Sequence, residues 1–395
     1  MADPDRKGGD YEGPGQIFPG RLVVPRAALD NLRERHGFTV LEPGDLVAGD
    51  DAKRRYPEGF VEFIGSLLAD SVAIQFDDIS SPSETLERID AIQELLGIDV
   101  QPFFRFSLFN HFGFLDSIDP SPAESTEIEC FDPHLECEGL PVYVVDTGFT
   151  TPDAWDDSRS FTEPDPRIGP LEPIDEDVAT EVSHGTFVAC VIGAISPFSR
   201  IRVLKVDLDV ERVSEIRRVD AEEVAVVAAL YRVMAQCGDE KAVLNVSFGA
   251  PPVTTPGGAA VVPPLLGPAM RQLAARKPNL IVLASGGNQP PHRGEDFAIP
   301  YPAAFDRVVS VGAADEDGDW VLWDRDGHPI EAEPYVGPWE NHLDRLAPGV
   351  DLIAPAGRKV VKWSGSSFAT AVQSGVLARE GTLIDADYDD YPFFG

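Results

Sequence analysis

Basic residues are scarce in this 395-residue chain: 32 Lys and Arg stand against 67 Asp and Glu, a formal net charge of −35. Such a surface repels phosphates, which argues against nucleic acid and anionic membranes as partners and favours basic or neutral ones. Cysteine is scarce too. The four, Cys130, Cys137, Cys190 and Cys237, match no common zinc spacing. Cys190 and Cys237 lie in apolar helical runs and read as buried thiols. Cys130 and Cys137 are near enough in sequence to pair, but a reducing compartment opposes a lasting disulfide. No apolar run is long enough to span a bilayer. The polar start Met1-Ala2-Asp3-Pro4-Asp5-Arg6-Lys7 leads into no apolar segment, so no secretory signal is read there, and the expected location is the cytosol.

What is present is globular. At 43% hydrophobic and 25% charged residues, the chain has material for one large domain and a smaller one. Residues 1–20 are rich in Gly, Pro and charge and read as disordered. From 21 to 112, strand-like and helical patterns alternate in a small α+β unit. Phe60, Phe63, Ile64, Leu67 and Leu68 share one helical face. Ser81, Pro82 and Glu84 spell a capping box opening a helix that runs to Leu96. Residues 113–138 carry Asp, Ser, Pro and Glu without periodicity and read as an acidic linker.

Beyond the linker the texture changes. Continuous apolar runs begin at Val142, Ile201, Ala242, Leu280 and Arg307, separated in several places by helical stretches: His184 to Ala194, Asp220 to Cys237, Leu265 to Arg276. Strands buried on both faces look like this. The spacing predicts a doubly wound, mostly parallel α/β sheet covered by helices over residues 139–380, followed by an acidic tail, 381–395. In such sheets, sites form at the carboxyl ends of the strands.

Four polar groups stand at those ends. Asp146 closes the run Val142–Val145 and precedes Thr147-Gly148. Alone it is an Asx turn. Asp-Thr-Gly also occurs in aspartic proteases, but that chemistry needs two carboxylates sharing a proton, and no second copy exists here. His184 opens a small-residue helix, where an imidazole can stand between a carboxylate and a hydroxyl. Asn288 ends Ser285-Gly286-Gly287-Asn288, a common glycine turn or an amide donor for an oxyanion. In Gly365-Ser366-Ser367-Phe368-Ala369-Thr370-Ala371 a hydroxyl meets the unpaired N–H groups of a helix start. That is an ordinary Ser cap, or a nucleophile beside developing negative charge.

The chain order Asp, His, Asn, Ser resembles the subtilisin-like serine proteases, the subtilases, over about 139–380. Val144-Val145-Asp146-Thr147-Gly148 looks like the family's Asp motif. His184-Gly185-Thr186-Phe187-Val188-Ala189 looks like its His motif, with Phe187 where His is usual. Asn245-Val246-Ser247-Phe248-Gly249 resembles its substrate-binding strand, and Ser285-Gly286-Gly287-Asn288 its oxyanion segment. Tyr301-Pro302-Ala303 with Val308 to Ala313, and Ala347-Pro348-Gly349-Val350, resemble later segments. The motif ending in Ser367 lacks the usual Pro, which is Ala371 here, and the chain stops soon after.

The resemblance implies that Ser367 attacks a peptide carbonyl, His184 carries the proton, and Asp146 orients the imidazole. Asn288 and the Ser367 N–H would hold the oxyanion. Ser366 competes as nucleophile, though the family pattern points to Ser367. Ser247, Phe248, Gly249, Ser285, Gly286 and Gly287 would wall the first substrate pocket. No cofactor is required; structural calcium is common in the family, and the acidic stretch Asp153 to Asp157 is where it would bind or is simply a solvated loop. Residues 21–112 would be a propeptide-like or accessory domain, and the expected partners are a peptide or protein substrate and a regulatory protein. A peptide-binding scaffold without turnover is the alternative function.

Overall fold

A computed structural model describes residues 17–48, 56–110, 121–122, 139–149, 184–206, 209–213, 216–288, 299–323, 329–331, 343–356 and 359–383. The acidic stretch 153–157, Cys130 and Cys137 lie outside them. The chain divides into two compact units: Met1–Lys53, Val61–Arg105 and Val253–Pro264 form the first, and the remainder forms the second.

In the first unit, β1 (Ile17–Pro25), β2 (Thr39–Leu41), β3 (Ser71–Gln75) and β4 (Gln101–Asn110, of which 101–105 belong here) pair antiparallel in the order β2-β3-β1-β4. The first strand starts at Ile17, four residues before the expected boundary, because Ile17 and Phe18 are apolar and buried. Helix α1 (Pro82–Leu96) opens on the capping box read from the sequence: Ser81 accepts the Glu84 N–H and Glu84 reaches back to the Ser81 N–H. It closes on Gly97 in the left-handed region, φ 62°, where glycine carries no Cβ penalty. The hairpin Val253–Val261, far away in sequence, is part of this unit. Asp90 accepts the Gly257 N–H at 2.5 Å, and Gln101 accepts the Val262 N–H at 2.7 Å.

The second unit is built on a six-stranded sheet. Its strands are β5 (Val142–Asp146), β6 (Ile201–Lys205), β7 (Ala242–Val246), β8 (Leu280–Ser285), β9 (Val308–Ala314) and β10 (Arg345–Pro348). The order is β10-β9-β8-β7-β5-β6 and every pair is parallel. This is the doubly wound α/β sheet that the apolar runs predicted. The chain leaves β5 for β6 through α2 (His184–Ile195), then crosses back to β7 through α3 (Glu223–Gln236), and on to β8 through α4 (Leu266–Arg276). Right-handed crossovers in opposite directions put α2 on one face and α3 and α4 on the other. The last helix, α5 (Ser366–Glu380), packs on α2 and on β7–β10. Gly375 permits that contact, since a Cβ there would stand 2.8 Å from Ile195 Cβ.

Burial explains the sequence texture. Phe187, Val188, Val191, Ile192, Phe368, Ala369, Val372 and Val376 form one core with Val142, Val144 and Val243. Cys190 and Cys237 are buried, and burial pushes the Cys237 thiol pKa up. A buried carboxylate, Glu223, accepts the N–H groups of Leu265 and Leu266 and so caps α4 from a neighbouring helix. Within the expected linker, Ser121–Pro122 pairs with the strand Lys359–Trp363.

Candidate active site

The direction of winding reverses between β5 and β7, and Asp146 and Ser247 stand at the carboxyl ends of those two adjacent strands. A crevice outside such a switch point is where open α/β sheets bind ligands. Asp146 is the last residue of β5 and fully buried. Its carboxylate accepts the Thr147 N–H at 2.6 Å. Both of its oxygens lie 3.0 Å from His184 Nδ1. An ionised carboxylate only accepts, so Nδ1 carries the hydrogen and Nε2 is left to accept a proton.

His184 is the first residue of α2, and its position follows from its neighbours. The Gly185 N–H donates to Thr147 Oγ1 at 3.0 Å, tying the helix start to the turn after β5. A Cβ on Gly185 would lie 2.4 Å from the Gly148 carbonyl oxygen, so only glycine lets the two segments meet. The imidazole packs edge-on against Trp363, ring centroids 5.7 Å apart, and at 5.4 Å from Phe368. Phe187 meets Trp363 edge-on at 5.4 Å and Phe368 in a tilted pair at 4.5 Å. This aromatic wall is absent from the sequence reading, although Phe187 at a position usually filled by His was its visible sign.

Ser367 is the second residue of α5, and the helix is capped by Gly365 rather than by a serine side chain. The ordinary-cap interpretation of this motif therefore does not apply. The Ser367 hydroxyl donates to the Ser247 main-chain carbonyl at 2.9 Å. Among the described residues, no hydrogen bond joins Ser367 to His184. A rotation about χ1 of Ser367 turns the hydroxyl away from the Ser247 carbonyl. Among the described residues, the neighbouring Ser366 hydroxyl is buried without a hydrogen-bond partner.

Asn288 is buried and ties the glycine turn to the helix start: its Oδ1 accepts the Ser366 N–H at 2.6 Å. That bond fixes the amide orientation, because a backbone N–H selects the oxygen, and Nδ2 becomes the donor end of the side chain. Its carbonyl accepts the Trp323 N–H at 2.8 Å. Gly287 before it has φ 100°, a conformation that glycine tolerates.

The other residues expected at the site lie on the two segments that follow β7 and β8. Ser285 ends β8, and the Gly286 N–H donates to Val311 O. A Cβ on Gly286 would meet Leu343 at 2.4 Å, and one on Gly249 would meet the Tyr301 carbonyl oxygen at 3.0 Å. Neighbouring chain therefore lies close against both positions. Phe248 is buried, its ring 6.2 Å from that of Phe106 in a T-shaped pair. Among the described residues, no group of three or more His, Cys, Asp or Glu side chains could hold a metal ion.

A carboxylate–imidazole pair, a serine at a helix start and a buried amide stand at the ends of a parallel sheet. The subtilase family model, peptidase S8, matches residues 138–382, more than half of the chain, and the chain belongs to that family. It is a subtilisin-like serine endopeptidase. An intracellular serine protease of Paenibacillus polymyxa is 24% identical over 258 residues, covering 64% of this chain and 69% of the relative. Among solved structures, the prenylagaramide maturation protease PagA is 22% identical, with a TM-score of 0.39, over 62% of this chain and 76% of its own. A variant of the epidermin leader peptide processing serine protease from Staphylococcus aureus is 14% identical, with a TM-score of 0.49, over 91% and 88%. No described helix is long and apolar enough to cross a membrane.

Proposed function

We propose that the peptidase works through a triad of Ser367, His184 and Asp146, with Asn288 and the Ser367 N–H as oxyanion donors. One observation carries this reading: His184 Nδ1 lies 3.0 Å from both oxygens of a buried carboxylate. That arrangement leaves Nε2 as a base. Ser367 Oγ swings from the Ser247 carbonyl, gives its proton to Nε2 and attacks the peptide carbonyl. The imidazolium formed is stabilised by Asp146. Negative charge on the former carbonyl oxygen is taken up by Asn288 Nδ2 and by the free N–H at the helix start. The imidazolium then protonates the leaving amine, and water repeats the sequence on the acyl-enzyme. Ser247, Phe248 and Gly249 on one side, and Ser285, Gly286 and Gly287 on the other, bracket the residue before the cut.

The substrate class proposed is a basic or neutral peptide segment, on the strength of the net charge of −35. The setting proposed is a cytosolic maturation, regulatory or defence protease, restrained by residues 21–112 as a permanent domain or by a regulatory protein. Nucleic acid is not a partner in this reading, and the chemistry uses groups of the chain and water, with no cofactor. Full activity in excess EDTA is the expected result, and loss of kcat there would contradict it.

Labelling with a fluorophosphonate tests the triad, since only an activated hydroxyl reacts. Modification of Ser367, abolished by Ser367→Ala and by His184→Ala, is the expected result. A specific observation also favours a scaffold that binds peptides without turnover: the Ser367 hydroxyl is bonded to Ser247 and not to His184. Absence of labelling with retained peptide binding would select that second reading.

A further inference from the structure

Buried polar side chains inside an otherwise apolar sheet need partners, and one such residue lies under the nucleophile. Asn245 is the fourth residue of β7, in the run Ala242-Val243-Leu244-Asn245-Val246, and is completely buried. Its register neighbours, Val144 on β5 and Leu283 on β8, are apolar. We propose that Asn245 is a positioning residue for Ser367, acting through Ser247 and Ser374. This inference rests on the reading of Ser367 as the nucleophile.

The hydrogen bonds can be followed atom by atom. Ser374 Oγ donates to the Thr370 carbonyl at 2.7 Å, one turn earlier in α5. A hydroxyl has a single hydrogen, so toward Asn245 it can only accept. Asn245 therefore presents Nδ2 to Ser374 Oγ, at 3.0 Å. Its Oδ1 is then turned the other way and accepts from Ser247 Oγ at 2.7 Å. The same Ser247 hydroxyl stands 3.0 Å from the Ser367 carbonyl oxygen. The Ser247 main-chain carbonyl receives the Ser367 hydroxyl. Ser247 thus touches Ser367 twice, once through its side chain and once through its main chain.

Every member of this chain is at most 1% exposed apart from Ser367 itself. The first three turns of α5 are thereby bolted to the carboxyl end of β7, with the Asn245 amide bonded to Ser374 on the helix and to Ser247 after the strand. A second bond, Thr370 Oγ1 to the Ser366 carbonyl at 2.7 Å, stiffens the same turn. A displacement of about 1 Å between a nucleophile and its partners typically lowers a rate by roughly 100-fold. Losing the Asn245 amide frees Ser247 to rotate and lets the start of α5 shift by distances on that scale.

The test compares fluorophosphonate labelling rates, kcat and KM for the full chain with Asn245→Ala, Ser374→Ala and the double variant. The control is Leu273→Ala on α4, a buried position on the opposite face of the sheet. Asn245→Ala is expected to lower both the labelling rate and kcat roughly 10- to 100-fold, with KM nearly unchanged. Ser374→Ala should lower them less, and the double variant should be no worse than Asn245→Ala, because both act through one amide. Leu273→Ala, destabilised by its cavity, should label at the normal rate below its melting temperature. If Asn245→Ala misfolds, the milder Ser374→Ala carries the test. Labelling of Asn245→Ala or Ser374→Ala at the normal rate, while Ser367→Ala is dead, overturns the positioning role and leaves the triad standing. No labelling of the unaltered protein overturns the triad itself.

Discussion

A Cβ placed on Gly185 would lie 3.1 Å from Asp146 Oδ1, and also 2.4 Å from the Gly148 carbonyl oxygen. The residue after His184 therefore has no room for a side chain. It is the contact through which the start of α2 is seated on the turn after β5.

Gly185→Ala should accordingly act on catalysis and on stability together. The backbone carbonyl cannot yield as a flexible side chain would, so α2 has to move and carry His184 with it. Overpacking of this kind costs about 1–3 kcal/mol. Thermal unfolding should report that loss, and kcat should fall at least tenfold as the imidazole leaves its bidentate contact with Asp146. An alanine variant with unchanged kcat would mean that His184 and Asp146 are held by something other than this approach.

Asn288 has an acceptor end, bonded to the Ser366 N–H, and a donor end proposed for the oxyanion, and two substitutions separate them. Asn288→Ala removes both the acceptor of the Ser366 N–H and the proposed oxyanion donor. It should lower kcat by roughly 100- to 1000-fold and also reduce stability. Asn288→Asp keeps an acceptor for the Ser366 N–H but has no donor. It should lose at least as much rate, since a carboxylate would face the oxyanion. Steady-state kinetics with melting curves for both variants make the check. Equal kcat values for Asn288→Asp and the unaltered enzyme would remove Asn288 from the oxyanion site.

The candidate site is legible in the sequence, because Asp146, His184, Asn288 and Ser367 each stand at the end of an apolar run or at a helix start. The parallel sheet follows from runs such as Val142–Val145 that leave no polar face. The capping box of α1 is local chemistry, so Ser81 and Glu84 announce it. What escaped were relations between distant residues. Nothing in Val253–Val261 says that it folds with a unit some 150 residues earlier. The pairing of Ser121–Pro122 with Lys359–Trp363 was equally hidden, because two residues show no period. Asn245 gave a signal, a lone amide in an apolar strand, but its partner Ser374 is 129 residues away.

Glu84 supplies a pH dependence whose sign can be worked out. The Ser80 N–H foremost, then the Ser80 hydroxyl and the Ser81 N–H, hold its pKa below the ordinary 4.5. Because the folded value is depressed, this contribution to stability is present in full above the unfolded value. It is lost as pH falls through the folded one. Thermal unfolding should show Glu84→Gln less stable than the unaltered protein at neutral pH, with the gap closing from about pH 5 downward. A gap of constant size across that range would show that the carboxylate charge contributes nothing to the cap.

The final prediction concerns the hairpin that completes the first unit. Asp90 on α1 accepts the Gly257 N–H, and Gln101 on β4 accepts the Val262 N–H. A Cβ on Gly257 would stand 2.9 Å from the Asp90 carboxylate, so the turn is fitted to that side chain. A unit assembled from residues before 106 and residues after 252 cannot be released by one cut between 111 and 138 without stripping the hairpin of its neighbours. We therefore expect a singly nicked protein to elute as one species in native buffer. Asp90→Ala with Gln101→Ala should separate into two pieces at lower urea and should expose 253–262 to faster amide exchange. Spontaneous loss of the N-terminal piece after nicking, with unchanged exchange in the hairpin, would show that these two hydrogen bonds do not retain it and that residues 21–112 behave as a removable segment. Mass spectrometry of the purified protein beside Ser367→Ala would then reveal whether the cut is made by its own Ser367.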